Sequence, residues 1–110
     1  MLIAAFLFWP RGGVEAYDFD SAAWKRSLAT KGDETRLFMV DDLLDKHPLI
    51  GRSRNQVVEL LGEPDSTPYF RNFEMVYFLG RERRAFGLDS EWLVLKVPQG
   101  TVVEARIVTD

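Results

Sequence analysis

The chain predicts an α+β domain, with helices on one face of an antiparallel sheet. Two observations carry this. Apolar residues recur at helical spacing up to Leu61, and after Pro64 they alternate at strand spacing. Helices first and strands after indicate α+β rather than alternating βαβ units. At 110 residues the chain is long enough for a single core. The expected organisation is an N-terminal apolar segment and linker over 1–16 and one α+β domain over 17–110. That domain would pack a helical hairpin on a three- to four-stranded sheet.

Leu49 to Pro64 is the best-punctuated stretch. Ser53 is the N-cap candidate, and Gln56 stands three residues on, as a capping box requires. Val57, Leu60 and Leu61 give one apolar face. Gly62 supplies the left-handed C-cap and Pro64 blocks extension. Gly51, Val57, Leu61-Gly62 and Pro64 read as G-x5-V-x3-L-G-x-P. In these residues the chain resembles the small outer-membrane-assembly lipoprotein family (SmpA/OmlA, BamE-like), whose fold is similar to the repeats of the β-lactamase-inhibitor protein (BLIP). The likeness continues through Val76-Tyr77-Phe78-Leu79-Gly80, Glu91-Trp92-Leu93 and Val102 to Val108. It implies a pair of helices followed by an antiparallel sheet, and a non-enzymatic interaction module of the bacterial cell envelope. The chain has no cysteine. The lipid-carrying cysteine of those lipoproteins is therefore missing, and outer-membrane anchoring is not carried over.

At the start, Leu2 to Trp9 is an apolar run ended by Pro10. It is too short to span a membrane, which takes about 20 apolar residues. Its length suits a signal-peptide core, with Val14-Glu15-Ala16 as the cleavage site, although no basic residue precedes it. The alternatives are the remnant of an anchor or a terminal segment packed on the domain. The expected location is the cell envelope or secreted, on the periplasmic side, with the cytoplasm as the alternative. Arg11-Gly12-Gly13 reads as a linker.

Asp20 or Ser21 caps a short helix reaching Ser27, with Trp24 as its core anchor. Lys31-Gly32-Asp33-Glu34 is a polar turn. Asp33 or Thr35 caps a helix from Arg36 to His47, with Leu37, Val40 and Leu44 in one stripe widened by Phe38, Met39 and Leu43. Asp42 and Lys46 are spaced for an i,i+4 ion pair. Asp65 to Pro68 is a turn. Phe73, Met75, Tyr77 and Leu79 then form the buried side of a strand, and Leu93, Leu95 and Val97 that of a second. Pro98-Gln99-Gly100 turns the chain into a third, with Val103, Ala105 and Ile107 inward.

Chemistry is sparse. Without cysteine there is no disulfide, zinc-thiolate site or thiol nucleophile. His47 is the single histidine, and it suits a helix C-terminus. Gly51-Arg52-Ser53 lacks the following glycine of a nucleophile elbow. Asp41, Asp42 and Asp45 crowd one helix but have no liganding loop, so they read as a solvated face rather than a metal site. No catalytic residue, metal or cofactor is expected, and the chain is not read as an enzyme. Arg52 and Arg54 flank the Ser53 cap against the helix dipole. They call for a compensating carboxylate of the preceding helix or a bound anion.

A net charge of −3 argues against a general nucleic-acid or anionic-membrane binder. The expected partner is another protein, with a peripheral membrane contact through the N-terminal segment if that segment is retained. Arg81, Arg83, Arg84 and Phe86, in the long connection between strands, are the candidate binding residues. Arginine beside an aromatic is the composition of interface hot spots. The alternative function is an inhibitor or immunity-type protein that binds a partner enzyme.

Overall fold

The computed structural model describes residues 17–27, 33–81 and 89–110. The apolar run Leu2 to Trp9, the linker, the Val14-Glu15-Ala16 site and Lys31-Gly32 lie outside them. The described chain is α+β. Helices α1 (Ser21–Arg26), α2 (Thr35–Lys46) and α3 (Arg54–Leu61) precede strands β1 (Met75–Arg81), β2 (Ser90–Lys96) and β3 (Glu104–Thr109). The strands form one antiparallel sheet in the order β1-β2-β3. No helix of the described residues is long and apolar enough to cross a membrane.

The local signals act as their chemistry requires. Asp20 caps α1 by accepting the Ala22 N–H. Ser53 accepts the Gln56 N–H at 3.1 Å while the Gln56 side chain accepts the Ser53 N–H at 2.8 Å, a complete capping box. Gly62 ends α3 at φ 82 and ψ −177, extended rather than left-handed helical, in a region open to glycine alone. The last carbonyls of α3, which a helix leaves unpaired, find side chains from elsewhere. Ser21 donates its hydroxyl to Leu60 O, the Lys25 ammonium donates to Glu59 O, and the Tyr77 hydroxyl donates to Gly62 O.

One face of the sheet meets the helices. Met75, Tyr77, Leu79, Leu93 and Leu95 join Trp24, Leu37, Val40, Leu43, Val57 and Leu61 in the main core. α2 packs on β1, and α1 packs against both α2 and α3. The two longer helices do not pair along their lengths as the expected hairpin would; α1 is wedged between them and Trp24, fully buried, fills the space. A bulge between Phe78 and Gly80 leaves Leu79 as the extra residue of β1. Gly80 there has φ +147, a backbone region that favours glycine, while a Cβ on it would sit at an ordinary 3.5 Å from Leu37, so the backbone and not crowding by α2 calls for glycine.

Two side-chain placements depart from simple alternation. Phe73 lies on the opposite face from Met75, because the strand begins at Met75 and Phe73 belongs to a turn closed by its N–H on Phe70 O. Val103 is 56 % exposed, while Val102 is buried in its place. The β2–β3 connection is drawn towards the helix layer: Val102 N–H donates to Arg52 O, Gly51 N–H to Val102 O and Arg54 N–H to Gly100 O.

Candidate interaction surface

The face of the sheet away from the helices is also apolar. Val76, Trp92 and Val94 are buried there, with Phe70, Phe73, Phe78 and Val108 packed partly exposed around them. Paired residues of an antiparallel ladder share a face, and residues two apart on a strand do too. Phe78, Trp92 and Val108 therefore form one row and Val76, Val94 and Arg106 the next. Lys96 and Glu104 follow at one end, Arg81 and Ser90 at the other.

Aromatic rings from the segment before β1 lean over this face. Trp92 is their hub, with Phe78 at 4.9 Å, Phe70 at 5.7 Å and Tyr69 at 6.0 Å between ring centres. Its indole N–H donates to the Asp110 carboxylate at 3.0 Å, which fixes the ring. Lys96 and Arg106 lie 5.4 and 5.5 Å over the Phe73 ring, within cation–π range. Arg106 also pairs with Glu104 at 2.8 Å. Tyr69 is 56 % exposed.

Phe70 has φ 58, the one positive φ outside glycine among the described residues. A bulky side chain in that region costs about 1–3 kcal/mol and persists only where the surroundings enforce it. Asp65 supplies part of that enforcement. Its N–H donates to Val76 O at 2.8 Å and its carboxylate accepts the Phe78 N–H at 2.6 Å. The segment expected as a plain turn thus lies along the outer edge of β1 and delivers Tyr69, Phe70 and Phe73 to the open face.

Arg36 ties this segment to the helices. Its guanidinium is largely buried, donates to Trp24 O and Phe78 O, lies over the Trp24 ring and pairs with Asp65 at 3.5 Å. Burial pulls its pKa down, and Asp65 opposes that shift. An arginine at the first turn of a helix gives no sequence sign of this; only the fold brings Asp65 to it.

Of the residues expected to bind, Arg81 is exposed at the end of β1, on the same face as Trp92. Arg83, Arg84 and Phe86 lie outside the described residues. His47 is the C-cap of α2, its ring 5.2 Å from that of Phe19. Asp42 accepts the Phe19 N–H at 2.6 Å and pairs with Lys46 at 2.9 Å. Burial would raise its carboxyl, but these two partners hold it below the ordinary value. No cluster of three metal-ligating side chains occurs among the described residues. Arg54 meets Glu63, beyond the end of its own helix and not on the preceding one, and Arg52 donates to Pro48 O. At the start of α3 the Ser53, Arg54 and Gln56 amides are bonded to protein acceptors.

The pattern of strands and turns does not mark Tyr69, Phe70 and Trp92 as a site, and it marks Phe73 as the inward end of a strand rather than as part of the open face. The usable signal was the unbroken apolar run Trp92 to Leu95 in β2, which marks a strand covered on both faces. The molecule is thus a small α+β scaffold with one helix-covered and one aromatic sheet face. No model of a known protein family, no curated protein and no solved structure matches the chain.

Proposed function

We propose that the chain is a non-enzymatic protein-interaction module of the bacterial cell envelope, of the BamE-like kind, and that the open aromatic face binds its partner. The observation that carries this reading is the cluster of Tyr69, Phe70, Phe73, Phe78 and Trp92 on a face no described helix covers, with Arg81, Lys96 and Arg106 on the same face. Aromatics and arginine dominate binding energy at interfaces because they bury large area with few rotatable bonds. The fitting partner is a protein segment that sets an apolar side chain among carboxylates. The helices-then-sheet order supports the likeness to the BamE/BLIP-like fold. The envelope location rests on the apolar run Leu2 to Trp9, which would also supply a peripheral membrane contact.

The test is the double variant Tyr69→Ala/Arg81→Ser. It removes the most exposed ring and the expected binding arginine without touching the core. The reading predicts an unchanged melting temperature and loss of binding to a partner first isolated with the unaltered chain. Full binding by the folded double variant would overturn it. A partner that proves to be a single enzyme, inhibited on binding, would favour the inhibitor or immunity-type reading.

A further inference from the structure

The two edges of the sheet are finished differently. The outer edge of β1 is covered by Asp65, through its N–H on Val76 O and its carboxylate on the Phe78 N–H. Among the described residues nothing pairs with the outer edge of β3. The phase of the β2–β3 ladder identifies the free groups. Asp110 N–H donates to Ser90 O, so Ser90 and Asp110 are a hydrogen-bonded pair. Such pairs alternate along an antiparallel ladder. Glu104, Arg106 and Val108 therefore turn their backbone groups to β2, while Ala105, Ile107 and Thr109 turn theirs outward.

The core also stops short at this edge. On the helix side, the inward residues Tyr77 and Leu79 of β1 and Leu93 and Leu95 of β2 are fully buried. Ala105 and Ile107, on the same side of β3, remain half-exposed. An added strand would satisfy the free amides and carbonyls and cover these two side chains at once.

We propose that the added strand is β3 of a second copy, paired antiparallel about Ile107. The free groups are symmetric about that residue. Ile107 would pair with Ile107 of the second copy, and Ala105 with Thr109 of the second copy, so every outward N–H and C=O meets a partner. A register centred on Arg106 would set two guanidinium groups opposite one another at the short, non-hydrogen-bonded spacing, which is unfavourable. One centred on Ala105 would draw in Val103, whose N–H is already committed to Lys96 O. The Ile107 register sets Arg106 against Val108 instead. It opposes Glu104 to Asp110 only at the strand ends, where Glu104 is held by Arg106 and Asp110 by Trp92 and Ser90. The two-fold axis stands perpendicular to the sheet. Both aromatic faces then lie on one side of a continuous sheet. This pairing is independent of the partner reading above, since it uses the edge and not the face.

Sedimentation of the full chain from micromolar to millimolar concentration, with amide exchange read residue by residue, tests the proposal. It predicts a reversible dimer in which the Ala105, Ile107 and Thr109 amides slow by about tenfold or more as concentration rises, while those of Glu104, Arg106 and Val108 do not change. Thr109→Pro deletes one outward N–H at an exposed edge position that tolerates proline, and should weaken dimerisation. If that variant does not fold, the exchange pattern of the unaltered chain decides alone. A monomer throughout the range, a dimer with unprotected outward amides, or a folded Thr109→Pro chain that dimerises undiminished would each overturn the proposal.

Discussion

The two faces of the sheet are built from the same strands by different means. On one side Met75, Tyr77 and Leu93 meet helices whose apolar stripes are local in sequence, with a local capping box at the start of α3. On the other, Val76, Trp92 and Val94 meet an irregular segment held by Asp65 and by the left-handed backbone of Phe70. The helix side buries Met75, Tyr77, Leu79, Leu93 and Leu95 fully and is half-exposed at Ala105 and Ile107 of the edge strand, whereas the open side leaves Tyr69 and the edges of Phe70, Phe73 and Phe78 in contact with solvent. A face that only had to be covered could have used a third layer of helix. Rings held partly exposed by a strained backbone leave area available for another molecule.

The largest loss of stability is expected on the helix side. Leu61→Ala deletes a fully buried side chain and should cost about 2–5 kcal/mol in urea melts. A negligible effect would mean that α3 is not packed as described.

Tyr77 makes the helix side sensitive to alkaline pH. Its hydroxyl is pushed well above the ordinary value of 10.0, first by burial, and donates to Gly62 O at 2.7 Å. The folded state keeps this proton where the unfolded chain loses it. Stability should therefore be level up to about pH 10 and fall as the pH rises further. Tyr77→Phe should cost about 1 kcal/mol at neutral pH and remove its share of that alkaline loss. Titration melts of the two chains that run parallel above that pH would contradict the assignment.

Ser53→Ala breaks the capping box and should cost about 1 kcal/mol, read by denaturant midpoint. On the open side, Tyr69→Ala should change stability by no more than about 0.5 kcal/mol. A cost as large as that of Leu61→Ala would make the open face a second core rather than a surface.

How much of this was legible in the sequence follows the same division. The Ser53–Gln56 box, Trp24 as anchor, the Asp42–Lys46 pair and the alternation of β1 and β2 are local patterns, and each appears where the pattern put it. The placement of Arg36 against Asp65 is a contact across 29 positions (65 − 36), and no local pattern encodes it. Phe73 and Val103 defeated simple alternation because each lies outside a strand boundary. The aromatic face was legible only as unexplained hydrophobicity: a two-sided apolar β2 with too few helices to cover both sides. Of the residues expected to bind, Arg81 falls on the aromatic face, and Arg83, Arg84 and Phe86 lie outside the described residues.

The open face is proposed as a binding surface, and the helix face is core. Site-specific photocrosslinking in the native host tests it directly, with the crosslinker at Tyr69 and, as control, at Asn55 on the exposed side of α3. One crosslinked partner is expected from Tyr69, mapped by mass spectrometry to a segment carrying carboxylates around an apolar side chain, and none from Asn55. Equal crosslinking from both positions, or a partner seen from Asn55 alone, would contradict it.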